Sequence, residues 1–101
     1  MQAVLSSDLE LDKEGHKAYR AGTDISLRKK EYDLLEFFTR NQGRVINRLT
    51  ILEYVWNYNA QIATNTLEVH MAGLRRKLDG NYSKKLLHTI HGIGYIFGYA
   101  E

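Results

Sequence analysis

The chain has 101 residues, enough to bury one hydrophobic core and too few for two domains. A composition of 44% apolar and 26% charged residues is that of a folded globular protein and excludes a disordered tail. The absence of cysteine excludes disulfides and thiolate metal sites, and no apolar run is long enough to cross a bilayer. We therefore expect a cytoplasmic domain without a membrane partner.

Charge is distributed unevenly along the chain. The overall formal charge is only +2, from 14 basic and 12 acidic residues. Residues 1–27 carry five acids and three bases (net −2), whereas residues 28–101 carry eleven bases and seven acids (net +4). A basic C-terminal part favours a polyanionic partner, although such charges are also common on an ordinary solvated face.

The first third of the sequence predicts antiparallel strands. Apolar and polar residues alternate in three short segments that glycine-containing turns separate, which is typical of a β-meander. The predicted strands are Leu9–Asp12, Lys17–Arg20 and 23–27.

Three helices follow. The first, over 28–40, has Leu34, Leu35 and Phe38 at helical spacing and ends at a glycine-containing turn. Asn47 is a good N-cap for a short second helix, and residues 57–63 lack periodicity and predict a loop. The second helix is predicted to turn four residues inward: Leu49, Leu52, Val55 and Trp56.

The third helix is predicted over 64–79, and Asn65 and Glu68 have the spacing of a capping box at its start. A β-hairpin then follows, with strands over 86–90 and 95–99 and a turn at 91–94. The order of strands, three helices and a terminal hairpin predicts an α+β fold, with helices packed on antiparallel sheet.

The third helix has two unlike faces. At about 100° per residue, an apolar stripe about 60° wide must be core; it comprises Leu67, Met71, Leu74 and Leu78. The opposite face is small and flat, and comprises Asn65, Val69, Ala72, Gly73 and Arg76. These small residues are either ordinary surface residues that the fold tolerates or a face that a partner approaches closely. The DNA major groove is one such partner surface, because it admits an α-helix.

Three segments in this order resemble the winged-helix DNA-binding domain of OmpR/PhoB-type response regulators. The residues that carry the resemblance are 44–56, 64–71 with 74–78, and the sequence His88-Thr89-Ile90-His91-Gly92-Ile93-Gly94-Tyr95. The resemblance implies a winged helix-turn-helix that binds double-stranded DNA as the effector domain of a two-component transcriptional regulator. The third helix would enter the major groove and the hairpin, or wing, the adjacent minor groove.

The resemblance also implies roles for individual residues. Arg48, Thr66, His70 and Arg75 would contact phosphates, and Val69 would contact a base. Thr89 and His91 would be the wing contacts, and the loop that starts at Trp56, with Asn57, Tyr58 and Asn59, would face RNA polymerase. Asn65 and Arg76 on the outer face of the helix add base-edge or phosphate hydrogen bonds.

The sequence departs from this family at three positions and lacks one of its domains. Family members commonly carry arginine where this chain has Ala72, Gly73 and His91, so we expect altered base readout. Because the acidic pocket of a receiver domain is missing, residues 1–101 are interpreted as an isolated effector domain. The full-length regulator would add a receiver and a sensor kinase, and the domain, monomeric in solution, would dimerise on repeated DNA half-sites.

Other chemistries fit the sequence less well. His88 and His91 are three residues apart, where strand geometry points them to opposite faces, and no pair of histidines has helical chelating spacing. No serine lies in a nucleophile-elbow context and no glycine-rich phosphate loop is present, so we expect neither an enzyme nor a cofactor. The remaining alternative is a non-enzymatic protein-interaction module that uses the flat face of the third helix.

Overall fold

A computed structural model describes residues 2–4, 8–57 and 65–98, with side chains described in the latter two ranges. The elements follow the predicted order with one addition, a first strand that the sequence analysis did not predict. They are β1 (Gln2–Val4), β2 (Leu9–Asp12), β3 (Lys17–Arg20), β4 (Thr23–Asp24), α1 (Lys29–Arg40), α2 (Arg48–Trp56), α3 (Thr66–Asp79), β5 (Leu87–Ile90) and β6 (Gly94–Phe97). The α+β class and the winged-helix arrangement are confirmed.

The N-terminal strands form an antiparallel sheet in the order β1-β2-β3-β4. Leu9 pairs with Arg20 and Leu11 with Ala18, and all four of these side chains are buried on one face of the sheet. The predicted strand over 23–27 is shorter, because Ser26 adopts a positive φ of 59° and ends the extended run. The sheet therefore packs its apolar face on the helices and carries one arginine into the interior.

Helix α1 lies at the centre of the domain and packs against α2, α3 and β6. Leu34, Leu35 and Phe38 are fully buried, as the helical spacing predicts. Arg28 is the N-cap residue, so the helix begins one residue later than predicted. Its backbone N–H donates to the Glu31 carboxylate at 2.9 Å, which satisfies one of the free amides at the helix start.

Helix α2 begins where the sequence predicts. The Asn47 side chain accepts a hydrogen bond from the Thr50 backbone N–H at 2.9 Å, which confirms the N-cap. The inward orientation of Leu49 is wrong, since this residue is 54% exposed. Ile51 and Leu52 form the buried side of the helix, and Leu49 lies about 110° away from the direction midway between them.

The terminal hairpin is joined to the segment before α2. Ile46 and Tyr95 exchange two backbone hydrogen bonds of 2.8 and 3.0 Å, so Ile46 forms an isolated antiparallel bridge to β6. At Gly94 a Cβ would collide with the Ile46 carbonyl, which explains a glycine at this place. The hairpin thus has a fixed position relative to the start of α2.

Candidate nucleic-acid interface

Four residues of α3 and its N-cap residue form an exposed arc. The predicted stripe of Leu67, Met71, Leu74 and Leu78 is buried, with at most 2% exposure. On the other side the helix presents a continuous exposed surface. With a rotation of 100° per residue, this surface spans about 100° of the helix circumference. The exposed arc comprises Asn65, Glu68, Val69, Ala72 and Arg76. Val69 is 58% exposed, so the outward orientation predicted for it is confirmed.

The assignment of Gly73 to the outer face is wrong. Gly73 is buried, and a Cβ at this position would collide with the carboxylate of Glu31 on α1. The Lys77 ammonium also donates to Glu31, at 2.7 Å, one turn further along the helix. Helix α1 therefore covers this flank of α3, and the missing side chain at Gly73 serves close helix packing rather than a partner.

Glu31 should contribute a pH-dependent part of the stability. Burial alone would raise its pKa, but the hydrogen bonds from Lys77 and the Arg28 amide lower the pKa below its ordinary value of 4.5. A carboxyl group with a lowered pKa in the folded state stabilises the protein above pH 4.5, and this contribution is lost as the pH falls through the folded pKa. Denaturation of Glu31→Gln between pH 7 and 3 should show a deficit against wild type that shrinks on acidification. A deficit independent of pH would contradict this.

A groove of about 770 Å³ separates α3 from the hairpin. Its lining brings together cations and histidines from α3, from the segment before β5 and from the hairpin: Arg75, Arg76, Lys85, His88 and His91. Asp79 is an acidic residue in the same lining. His88 on β5 and His91 in the turn that follows it both line this groove. The described residues contain no group of three or more His, Cys, Asp or Glu that could hold a metal ion.

Two predicted contacts, Arg75 and Thr89, are hydrogen-bonded to each other. The Arg75 guanidinium donates to the Thr89 hydroxyl and lies over the Tyr95 ring at 5.5 Å from its centroid. Arg75 Nε is buried with no hydrogen-bond partner. Arg75 thus connects α3 with both strands of the hairpin while it is still partly accessible from the groove.

Arg48, at the start of α2, forms an ion pair with Glu68 on the exposed arc. Arg48 Nε donates to one carboxylate oxygen at 2.8 Å and Nη2 contacts the other at 3.4 Å. This hydrogen bonding lowers the pKa of Glu68, so the side chain stays anionic. The predicted capping box does not form, because Asn65 occupies the N-cap position without a side-chain capping bond. Glu68 is instead a surface acceptor between the two helices.

The remaining predicted residues lie at the start of α3 and the end of α2. His70 is half-buried, and its Nδ1 donates to the Thr66 carbonyl at 2.8 Å. Its ring meets Trp56 edge to face at 5.3 Å between centroids. Trp56 is the last residue of α2 and so is not in the loop, whereas Asn57 follows it in a left-handed conformation. Tyr58 and Asn59 lie outside the described residues.

Sequence reasoning missed a buried polar cluster behind the interface. Arg20 is fully buried and donates to Asp79 at 2.9 Å and to the Leu78 carbonyl at 2.7 Å. Asp79 in turn accepts the backbone N–H groups of Leu86 and Leu87 at 3.0 and 3.1 Å. The cluster ties the end of α3 to the start of the hairpin. An arginine at an inward position of a strand was the available signal, because a buried cation requires an acidic partner.

The fold and this surface define a class, the winged-helix DNA-binding domains. Comparison with known proteins agrees. Residues 22–97 match the family described as "Transcriptional regulatory protein, C terminal". The chain belongs to this family, that of the C-terminal DNA-binding effector domains of OmpR/PhoB-type transcriptional regulators.

Individual relatives are longer than this chain. It is 42% identical over 90 residues to the transcriptional regulatory protein CusR of Escherichia coli K12, covering 89% of this chain and 40% of CusR. A solved member of a streptococcal family of redox sensors evolved from two-component response regulators is 34% identical, with a TM-score of 0.81, covering 99% of this chain and 44% of that one. The chain thus spans about two fifths of the length of such relatives.

A third comparison shows likeness of fold alone. The DNA-binding domain of Klebsiella pneumoniae RstA, solved in complex with the RstA box, is 20% identical with a TM-score of 0.81 and 96% coverage of each chain.

In the part of this chain that the structure describes, no helix has both the length and the apolar character needed to span a membrane.

Proposed function

We propose that this domain binds double-stranded DNA sequence-specifically, with α3 in the major groove and the β5-β6 hairpin in the adjacent minor groove. The observation that carries the proposal is the continuity of the exposed arc with the cation-lined groove. Val69 in the N-terminal half of α3 and Asn65 at its N-cap are base-reading groups where recognition helices commonly carry them. The cations of the groove then lie beside the path of a phosphate strand.

We divide the residues by the kind of contact they make. Arg48, Arg75 and Arg76 hold phosphates, and Val69 contacts a thymine methyl group. Thr66 and His70 support the phosphate contact at the start of α3, where backbone amides add to the positive potential. Thr89 and His91 extend from β5 and the turn toward the second groove. The domain acts by binding and has no catalytic step.

We also propose that the domain works within a longer two-component regulator in the bacterial cytoplasm. A receiver domain under a sensor kinase would pair two copies on repeated half-sites, which raises the local concentration of the second domain. The surface from Trp56 and Asn57 onward would contact RNA polymerase. The relatives' names and the chain's coverage of about two fifths of their length support this arrangement.

Salt dependence tests the DNA proposal directly. If Arg75, Arg76 and Lys85 each neutralise a phosphate, log K should fall with log[salt] with a slope of about −3, at about 0.9 per phosphate. Arg76→Gln should reduce the slope by about one. Lys17→Gln, which removes an exposed cation from β3, should leave the slope unchanged.

The alternative, a protein-docking face on α3, gives the opposite result. It explains the small Ala72 but not the three basic side chains and two histidines that line the groove beside it. No binding to any duplex at low salt, with the intact regulator also inactive on DNA, would reject DNA binding and leave the docking face.

A further inference from the structure

We infer that Glu68 is a specificity-determining residue that accepts a hydrogen bond from the N4 amino group of a cytosine, and that Arg48 holds it in place. This inference rests on the proposed function and adds a base preference to it. The observation behind it is the ion pair that joins the start of α2 to the exposed arc of α3.

The position of Glu68 is that of a base-reading side chain. It is the third residue of α3, and the N-terminal residues of a recognition helix are those that reach base edges. It forms one edge of the exposed arc and Val69 forms the other, about 100° away. Its side chain keeps 47% exposure despite the ion pair, so one side of the carboxylate remains open.

The chemistry of a carboxylate limits what it can bind in the major groove. It only accepts hydrogen bonds, and guanine and thymine present only acceptors there, N7 with O6 and O4 respectively. Adenine presents its N6 donor beside the N7 acceptor, whose lone pair repels a second anion. Cytosine presents N4 with no acceptor of its own beside it, so cytosine is the base that Glu68 favours.

Arg48 makes this anion tolerable on a DNA-binding surface. An unpaired carboxylate so close to phosphates would be repelled, and the guanidinium neutralises it. The two contacts, at 2.8 and 3.4 Å, come from different nitrogens to different oxygens and fix the plane of the carboxylate. Arg48 is therefore a positioning residue for Glu68 as well as a phosphate contact.

The test selects bound duplexes from a random pool with wild type and with Glu68→Gln. Affinities are then measured on the selected site with each base at every position. Wild type should prefer cytosine at one position by about tenfold, and Glu68→Gln should prefer adenine at that position, because glutamine pairs with N6 and N7. Glu14→Gln, which removes an exposed carboxylate from the β2-β3 turn, should keep the wild-type preference for cytosine at that position.

Arg48→Lys separates positioning from charge. It keeps the cation, so the salt slope should change little, but a single ammonium cannot fix the carboxylate plane, so the cytosine preference should broaden severalfold. The same cytosine preference in wild type, Glu68→Gln and Arg48→Lys, or no cytosine position that responds to Glu68, would overturn the inference. Failure of wild type to bind any duplex at low salt would instead overturn the proposed function itself.

Discussion

Replacement of Asp79 by alanine should lower the free energy of unfolding by about 3–5 kcal/mol, the usual cost of breaking a buried ion pair from one side. The variant leaves the fully buried Arg20 guanidinium without its closest acid and removes the acceptor of two backbone amides, at Leu86 and Leu87. Urea denaturation followed by the fluorescence of Trp56, the single tryptophan, measures the loss.

A matched carboxylate on the surface provides the control. Asp33 pairs with Lys29 at 3.1 Å, but the lysine side chain is 71% exposed, so Asp33→Ala should cost less than about 1 kcal/mol. Asp79→Asn, which keeps one amide acceptor without the charge, should fall between the two alanine variants and covers the case in which Asp79→Ala does not fold. Equal losses of unfolding free energy for the Asp33 and Asp79 alanine variants would show that the buried cluster stabilises the fold no more than a surface ion pair does.

Replacement of Arg75 by alanine should weaken binding to specific and random duplexes alike, by about 10- to 100-fold. This corresponds to the roughly 1.5–3 kcal/mol that hydrogen bonds to charged groups contribute. Two effects act together, because Arg75 would lose its phosphate contact and the hairpin would lose its link to α3 through Thr89 and Tyr95. Titration of both kinds of duplex with fluorescence anisotropy gives the two ratios.

Two further variants separate these effects. Thr89→Val keeps the shape of the side chain but cannot bond to Arg75. It should therefore show the loss of the hairpin link together with the wing contact of Thr89 itself, while the phosphate contact of Arg75 is kept. Val69→Ala should leave random duplexes almost unaffected and change the preference among specific sites, since only a contact to a thymine methyl group is lost. If Arg75→Ala and Val69→Ala changed both kinds of duplex in the same proportion, base reading by Val69 would be refuted.

The sequence predicted the elements and the core well because hydrophobic periodicity reports burial directly. The stripe from Leu67 to Leu78 is buried and the N-cap at Asn47 forms, both from local information. The resemblance to the effector-domain family, which rested on three motifs, is confirmed by the family match over residues 22–97. The residue roles in DNA contact remain predictions.

The errors share one physical origin. A single helix gives the direction of its apolar stripe, but which flank a neighbouring helix covers depends on how the helices cross. Gly73 was placed on the outer face for this reason, although α1 covers its flank. Glu68 was assigned to a capping box, but its carboxylate bonds to Arg48 on α2. The inward placement of Leu49 was wrong because the buried side of α2 is centred between Ile51 and Leu52.

The polar cluster could not be derived from pattern because its members are far apart in sequence. Arg20 and Asp79 are separated by 59 positions, and only the packing of the N-terminal sheet against the end of α3 brings them together. Likewise, the hydrogen bond between Arg75 and Thr89 cannot be predicted until the position of the hairpin relative to α3 is known.

The backbone bonds between Ile46 and Tyr95 have a consequence for how such a domain recognises a site. The hairpin is joined to Ile46, before α2, through β6 and to Asp79 through the start of β5. The DNA-binding surface is therefore preorganised, and little ordering entropy opposes complex formation. The duplex must then adapt to a rigid protein. Sites whose minor groove already has a matching width should be favoured even at base pairs that no side chain touches.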